Sequence, residues 1–147
     1  MAAGGRIGSA TRGDGLRALL VEDSTLIAEN LCATLSESAA VDIVATARSQ
    51  HEACAWMDSR INGCDVAIID IFLKEGDGLG VLRHIARYDH PPTRLVLTNY
   101  ATDDMRSRCR ALGADAVFDK STEIEELIAW LSAPCERCAA AAQRRRR

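Results

Sequence analysis

Residues 66–78, Val-Ala-Ile-Ile-Asp-Ile-Phe-Leu-Lys-Glu-Gly-Asp-Gly, carry the pattern that decides the fold. The apolar run from Val66 to Ile69 has the length of a short strand that is buried on both faces. Gly76 and Gly78 then interrupt the chain, and apolar residues recur at helical spacing over 79–85. A buried strand followed by an amphipathic helix is the repeating unit of a parallel α/β sheet.

The same unit recurs along the chain on both sides of this stretch. The pattern predicts strands over 16–21, 41–45, 66–69, 95–97 and 116–118, and helices over about 24–37, 51–57, 79–85, 102–112 and 122–132. In the first helix we expect the apolar period to run through Leu26, Ile27, Leu31 and Leu35. This alternation predicts an α/β fold: a five-stranded, parallel, doubly wound sheet in three layers, with right-handed crossovers.

Length and composition are those of one globular domain. The chain has 147 residues, 48% of them hydrophobic, and a net charge of −3. No apolar run approaches the roughly 18 residues that cross a bilayer, and no apolar signal segment opens the chain, so we expect a cytoplasmic protein with no membrane contact. Residues 16–131 contain 11 basic and 19 acidic residues, which argues against nucleic-acid binding.

The two ends of the chain differ from its centre. Residues 1–15 are rich in Gly, Ala and Ser and are predicted to be a disordered leader, and residues 133–147 a flexible Cys/Arg tail. Cys135 and Cys138 have CxxC spacing, but no second pair is placed to complete a structural zinc site. The terminal arginines, Arg144–Arg147, are either a solvated tail or a contact for an acidic partner.

Polar residues follow four of the five predicted strands. The carboxyl ends of parallel strands form one edge of the sheet, and ligands of such folds bind beyond that edge. We therefore expect these side chains to meet at a common site. They are Glu22 and Asp23 after the first strand, Asp70 after the third, Thr98 and Asn99 after the fourth, and Asp119 and Lys120 after the fifth.

The side chains of this edge suit phosphoryl chemistry. Three neighbouring carboxylates repel one another unless a cation joins them, and carboxylate oxygens are the ligands that Mg²⁺ prefers. Lys120 offers a positive charge for a phosphate, and the Thr98 hydroxyl can donate to a phosphoryl oxygen. Asp70, at the end of the central apolar strand, is then the predicted nucleophile, because carboxylates can form aspartyl-phosphates.

Residues 16–132 resemble the receiver domain of two-component response regulators. The matching stretches are LLVEDS (19–24), AIIDIFLKEGDG (67–78), LVLTNYA (95–101) and GADAVFDKS (113–121). The resemblance implies a flavodoxin-like (βα)5 fold with strand order 2-1-3-4-5. It also implies that Asp70 accepts a phosphoryl group from a sensor histidine kinase or a histidine phosphotransfer protein.

The resemblance further assigns roles within the site. Asp23 and Asp70 bind Mg²⁺, with Glu22 assisting directly or through water, and the backbone carbonyl of Phe72 is a further ligand. The two groups that bind the phosphoryl oxygens are Lys120 and Thr98.

Three residues around the site depart from the family pattern. Lys74 and Ser121 stand where the family usually has proline, and Asn99 stands where it usually has Ala or Gly. We expect a trans Lys120–Ser121 bond, since a cis bond before a non-proline residue costs about 2.5–4 kcal/mol. We also expect Asn99 to hydrogen-bond nearby backbone.

Aromatic residues near the site depart from the pattern as well. Val117 occupies the position of the aromatic residue that in this family turns inward as the threonine moves, which leaves Phe118 and Tyr100 as candidates for such a switch. Neighbours in a strand point to opposite faces, which argues against Phe118. Phe72 and Tyr100 flank the site where the family controls water access, and we expect their bulk to prolong the life of the phosphoryl group.

The expected function is that of a regulator rather than an enzyme acting on other molecules. Only about 15 residues follow residue 132, too few for a DNA-binding unit, so the sequence predicts a single-domain regulator that signals by binding a downstream protein. The predicted fourth helix carries Arg106, Arg108 and Arg110, expected to form an exposed basic patch that is either solvated or a dock for an acidic partner.

Three other functions compete with this one, the last of them direct RNA or DNA binding through the Arg144–Arg147 tail. The first is a scaffold that uses the receiver fold without phosphorylation, against which Asp70, Thr98 and Lys120 argue. The second is a phosphatase of the aspartyl-nucleophile type, which needs a second Asp where this chain has Phe72.

Overall fold

A computed structural model describes residues 15–38, 41–60 and 62–132. Residues 1–14 of the predicted leader and the whole predicted tail, with Cys135, Cys138 and Arg144–Arg147, lie outside the described residues. Within them, strands and helices alternate as the sequence predicted. The strands are β1 (Leu16–Val21), β2 (Val41–Ala47), β3 (Val66–Asp70), β4 (Thr93–Thr98) and β5 (Ala116–Asp119). The helices are α1 (Thr25–Ser38), α2 (Gln50–Ser59), α3 (Gly78–Ile85), α4 (Asp103–Ala111) and α5 (Ile124–Ser132).

The five strands form one parallel sheet of order β2-β1-β3-β4-β5. The predicted fold and strand order are therefore confirmed. Every residue of the central strand β3 is buried, as its unbroken apolar run requires. The order reverses between β1 and β3, so the loops that follow these two strands separate and leave a crevice at their carboxyl ends.

Helices cover both faces of the sheet, and each face has its own apolar cluster. One cluster contains residues of α1 and α5, and the other contains residues of α2, α3 and α4. Val117 belongs to the α2–α4 side and Phe118 to the α1–α5 side, so strand alternation places these neighbours on opposite faces. Both are buried.

The buried stripe of α1 differs from the predicted one. Ala28, Leu31 and Leu35 face the sheet, whereas Leu26 is 66% exposed and Ile27 is 37% exposed. Spacings of three and four residues align the first three on one face of the helix. Leu26 lies off that face, and Ile27, four residues before Leu31, lies at its edge in the first turn, where it stays 37% exposed. The expected period through Leu26 and Ile27 was wrong at its first turn.

Gly78 lets α3 begin close to the central strand. A Cβ atom at this position would collide with the backbone carbonyl oxygen of Asp70. The Gly78 N–H donates to the Ile71 carbonyl at 2.8 Å, and the side chain of Asp77 caps the helix by accepting from Gly80 N–H. The backbone after β3 is thus held tightly against the first turn of α3. No helix in the described ranges is long and apolar enough to cross a membrane.

Candidate functional site

Asp70 ends the central strand β3, at the crevice between the carboxyl ends of β1 and β3. It is 6% exposed. Its Oδ1 accepts from the Phe72 N–H at 3.3 Å, and its Oδ2 accepts from Lys120 Nζ at 2.9 Å. One carboxylate oxygen is therefore held by the loop after β3, and the other by the ammonium group of Lys120, which follows β5.

Lys120 joins Asp70 to a second buried carboxylate. Its Nζ donates to Glu22 Oε1 at 2.7 Å as well as to Asp70, and Glu22 is only 2% exposed. The other oxygen of Glu22, Oε2, accepts from Ser24 N–H at 3.1 Å. One ammonium group is thus shared by two carboxylates that follow different strands, which the strand-end pattern did not specify.

Burial and hydrogen bonding shift the pKa values of Glu22 and Lys120. Burial raises the pKa of Glu22 above its usual value, although the hydrogen bonds from Lys120 and Ser24 oppose the change. For Lys120, burial works to lower the pKa, but the hydrogen bonds and charge attraction of Glu22 and Asp70 together raise the pKa above its ordinary value. Lys120 is therefore held firmly in its charged form.

Asp23 completes a group of three carboxylates at this edge. One carboxylate oxygen from each of these three residues, Glu22, Asp23 and Asp70, lies within 4.8 Å of the other two. In the described ranges, no other group of three or more His, Cys, Asp or Glu side chains is placed to hold a metal ion. Three hard oxygen donors that leave positions for water fit Mg²⁺. Such an ion would supply positive charge against phosphoryl oxygens. The ligand role of the Phe72 carbonyl stays a prediction.

Lys74 fixes Asp23 through its main chain. The Lys74 N–H donates to Asp23 Oδ2 at 3.0 Å. A proline, which the family usually has here, carries no N–H and could not make this bond. The sequence identified this departure, but residue identity gave no sign that the amide would reach a residue 51 positions away.

Thr98 is fully buried at the end of β4. Its Oγ1 accepts from Tyr100 N–H at 3.1 Å, and its carbonyl accepts from Lys120 N–H at 2.8 Å. An accepting hydroxyl keeps its own hydrogen to donate. Among the described residues, no hydrogen bond joins the Thr98 side chain to Asp70 or Lys120, so the structure brings Thr98 to the site through the backbone alone.

Ser121 and Asn99 contact each other across the site. Ser121 Oγ donates to Asn99 Oδ1 at 3.2 Å, so Asn99 binds a side chain rather than the backbone that was expected. The Ser121 N–H donates to Asp119 Oδ1 at 2.7 Å, which a proline could not do. All peptide bonds of the described residues are trans, as expected for Lys120–Ser121.

Phe72 and Tyr100 form an aromatic pair beside the acceptor. Their ring centroids are 5.0 Å apart with an interplanar angle of 73°, an edge-to-face arrangement. Phe72 is 50% exposed and Tyr100 is 62% exposed. The pair therefore joins the loops that follow β3 and β4.

Arg106 does not belong to an exposed basic patch. Its Nε donates to the Ala101 carbonyl at 3.0 Å, its Nη1 to the Val117 carbonyl at 2.8 Å, and its Nη2 to Glu123 Oε1 at 2.9 Å. The planar guanidinium thus holds α4 to β5 and α5. Only Arg108 and Arg110 are exposed, so the three-residue patch predicted from the sequence was wrong in one member.

A family model described as the response regulator receiver domain matches residues 18–132. The chain belongs to the response regulator receiver domain family. The resemblance stated from the sequence is therefore confirmed. Members of this family accept phosphoryl groups in two-component signalling, and this receiver domain has the acidic pocket in which they bind Mg²⁺.

Two curated relatives and one solved structure give the range of the similarity. The transcriptional regulatory protein TrcR of Mycobacterium tuberculosis is 36% identical over 124 residues, which cover 82% of this chain and 46% of TrcR. A protein-glutamate methylesterase/protein-glutamine glutaminase of Anaeromyxobacter dehalogenans is 31% identical over 110 residues, covering 75% of this chain and 30% of that protein. The signal receiver domain of the response regulator NarL from M. tuberculosis has a TM-score of 0.71 at 20% identity, over 88% of this chain and 97% of that one, which shows a shared fold.

This chain spans less than half the length of either curated relative. The expectation that the receiver domain works as a single-domain regulator therefore stays a prediction.

Proposed function

We propose that the receiver domain accepts a phosphoryl group on Asp70 from a histidine kinase or a histidine phosphotransfer protein. The observation that carries the proposal is the position of Lys120 Nζ, which lies 2.9 Å from Asp70 Oδ2 and 2.7 Å from Glu22 Oε1 within a group of three carboxylates. A nucleophilic carboxylate needs nearby positive charge before an anionic phosphoryl group can approach it. Lys120 supplies one such charge, and the carboxylates can hold a Mg²⁺ ion that supplies another.

The proposed transfer forms one bond and breaks one. An oxygen of Asp70 attacks phosphorus, the bond between phosphorus and the donor imidazole nitrogen breaks, and the imidazole leaves with the electron pair. Lys120 then faces the oxygens of the new acyl phosphate, and the Thr98 hydroxyl turns from its own loop to donate to one of them. Glu22 and Asp23 would hold the metal together with Asp70 and the Phe72 carbonyl.

Phosphorylation would change the surface that a downstream protein recognises. The modification adds about −1.5 to −2 charges beside Thr98. The chain runs from Thr98 through Tyr100 and Ala101 into α4. Arg106, in α4, donates to the carbonyls of both Ala101 and Val117. A shift of Thr98 is therefore transmitted to α4 and β5. We propose that a cytoplasmic partner protein binds this altered face.

The competing phosphatase function lacks a required group. Phe72 stands where the second catalytic Asp would be, and its side chain carries no atom able to move a proton. The site therefore suits storage of a phosphoryl group rather than turnover of a substrate.

Intact mass spectrometry after incubation with acetyl phosphate tests the proposal. We expect a gain of one phosphoryl group in the presence of Mg²⁺, little gain with EDTA, and none in Asp70→Ala. Asp77→Ala, which removes a carboxylate that caps α3 instead of facing Lys120, is the matched control and should still be modified. Equal uptake by Asp70→Ala would refute the assignment, and absence of uptake by the unaltered chain would favour the phosphorylation-independent scaffold.

A further inference from the structure

Asn99 and Ser121 each follow a residue that the proposed function uses. Asn99 comes after Thr98, and Ser121 comes after Lys120. Strands β4 and β5 are neighbours, and the Lys120 N–H donates to the Thr98 carbonyl at 2.8 Å. The two side chains therefore extend from adjacent strand ends, at the entrance to Asp70.

Ser121 is the fixed member of this pair. Its N–H donates to Asp119 Oδ1 at 2.7 Å, and the next amide, Thr122 N–H, donates to the same oxygen at 3.2 Å. These bonds hold the turn that leads into α5. The Ser121 hydroxyl, which donates to Asn99 Oδ1 at 3.2 Å, is thus attached to an anchored backbone.

Asn99 is the movable member. It is exposed, and among residues 15–38, 41–60 and 62–132 its side chain is hydrogen-bonded to Ser121 alone. In the sheet register Leu97 lies opposite Asp70. Asn99 is two residues beyond Leu97, just after the end of β4. An amide carries two N–H donors, and the carboxylate of Asp70, with the phosphoryl group formed on it, is an acceptor at the end of the neighbouring strand.

We infer that Ser121 is a positioning residue that holds the Asn99 amide away from Asp70 and so keeps the entrance open to a phosphodonor. The inference rests on the proposed function of Asp70. Without the Ser121 hydroxyl, Asn99 loses its partner and rotates toward the acceptor, where its amide covers the line along which phosphorus approaches. The polar side chain at 99 is tolerated here because the residue at 121 is a hydrogen-bond donor.

Rates of phosphoryl uptake in a double-mutant set test this inference. The unaltered chain, Asn99→Ala, Ser121→Ala, the double variant Asn99→Ala/Ser121→Ala and Ser121→Thr are incubated with acetyl phosphate and Mg²⁺, and uptake is followed by intact mass. We expect Ser121→Ala to be three- to tenfold slower, because one lost hydrogen bond changes a side-chain population by about that factor. Ser121→Thr, which keeps the hydroxyl, should restore the rate. The double variant should match Asn99→Ala, which is at least as fast as the unaltered chain.

The pattern of rates separates positioning from a merely structural role. If the double variant is as slow as Ser121→Ala, or if Ser121→Ala is as fast as the unaltered chain, the inference is wrong. Thermal unfolding of each variant shows whether a slow rate reflects loss of the fold, in which case Asn99→Ala could not restore it. Failure of uptake in every form, with the unaltered chain included, refutes the proposed function together with this inference, whereas the other two outcomes refute the inference alone.

Discussion

Carboxylates stand at both ends of the strands in this sheet, but the two ends use them differently. At the amino end, Asp65 precedes β3 and Asp115 precedes β5. Asp65 Oδ2 accepts from Arg17 N–H at 2.9 Å, and its own N–H donates to the Arg17 carbonyl at 2.7 Å. Asp115 repeats the arrangement with Arg94, at 2.8 Å and 2.7 Å. These two acids fasten the start of one strand to the start of its neighbour.

At the carboxyl end, two acids share one lysine side chain in addition to their bonds with loop amides. Glu22 and Asp70 share the ammonium of Lys120, and Asp23 accepts from a loop amide. A carboxylate that accepts from the main-chain N–H of a neighbouring strand holds the two strands together. Glu22 and Asp70, which share the Lys120 ammonium, keep further lone pairs for a metal or for phosphorus. Among the described residues, what distinguishes the carboxyl end is the lysine that two buried carboxylates share.

Replacing Lys120 with methionine should have the largest effect on stability. Burial would then act on Glu22 without its main opposing partner, and its pKa would rise further above 4.5. The folded protein would retain a proton that the unfolded chain releases above that pH, so the stability lost should be small at pH 5 and grow toward pH 8. We expect a loss of about 3 kcal/mol at pH 8, as is typical when one partner of a buried pair is removed.

Urea unfolding at pH 5 and pH 8 in metal-free buffer measures this difference. Lys74→Met is the matched control, since Lys74 is exposed and contributes only its backbone N–H to the site. That variant should unfold like the unaltered chain at both pH values. An equal loss of stability at pH 5 and pH 8 for Lys120→Met would show that the acids at this end are not held by its charge.

Asp65→Ala should lower the free energy of unfolding by a smaller amount and leave phosphoryl uptake by Asp70 unchanged. Asp65 is fully buried, and its removal leaves the Arg17 N–H without this partner, a change that costs about 1–3 kcal/mol. Asp115→Ala should cost less because Asp115 is only half-buried. Both variants should take up a phosphoryl group from acetyl phosphate at the unaltered rate. Slower uptake would mean that the two ends of the sheet are coupled, which would break the distinction between them.

The sequence could predict the alternation of strands and helices and the meeting of four strand ends, because both follow from apolar periodicity and parallel topology. It could not predict the bonds that depend on loop geometry. Examples are the Lys74 amide on Asp23 and the capture of Arg106 by two backbone carbonyls and Glu123. The sequence marks Asp65 and Asp70 as the same residue type at the two ends of one strand, and only their neighbours in space distinguish them.

Phe72→Asn should have the smallest effect of these substitutions, and its effect should be on the rate at which Asp70 loses its phosphoryl group. It tests whether the amino and carboxyl ends of the sheet differ in solvent access. Asp65 at the amino end is fully buried, whereas Asp70 is 6% exposed and lies near the exposed Phe72–Tyr100 pair. A polar residue at 72 opens the pair and can orient an attacking water, so we expect loss of the phosphoryl group to become severalfold faster, a change of about 1 kcal/mol in barrier. Radiolabel lost from phosphorylated protein over time measures the rate. Phe72→Leu keeps the apolar bulk and should stay close to the unaltered rate, and a Phe72→Asn variant that loses label no faster would show that this pair does not control access of water to the acceptor.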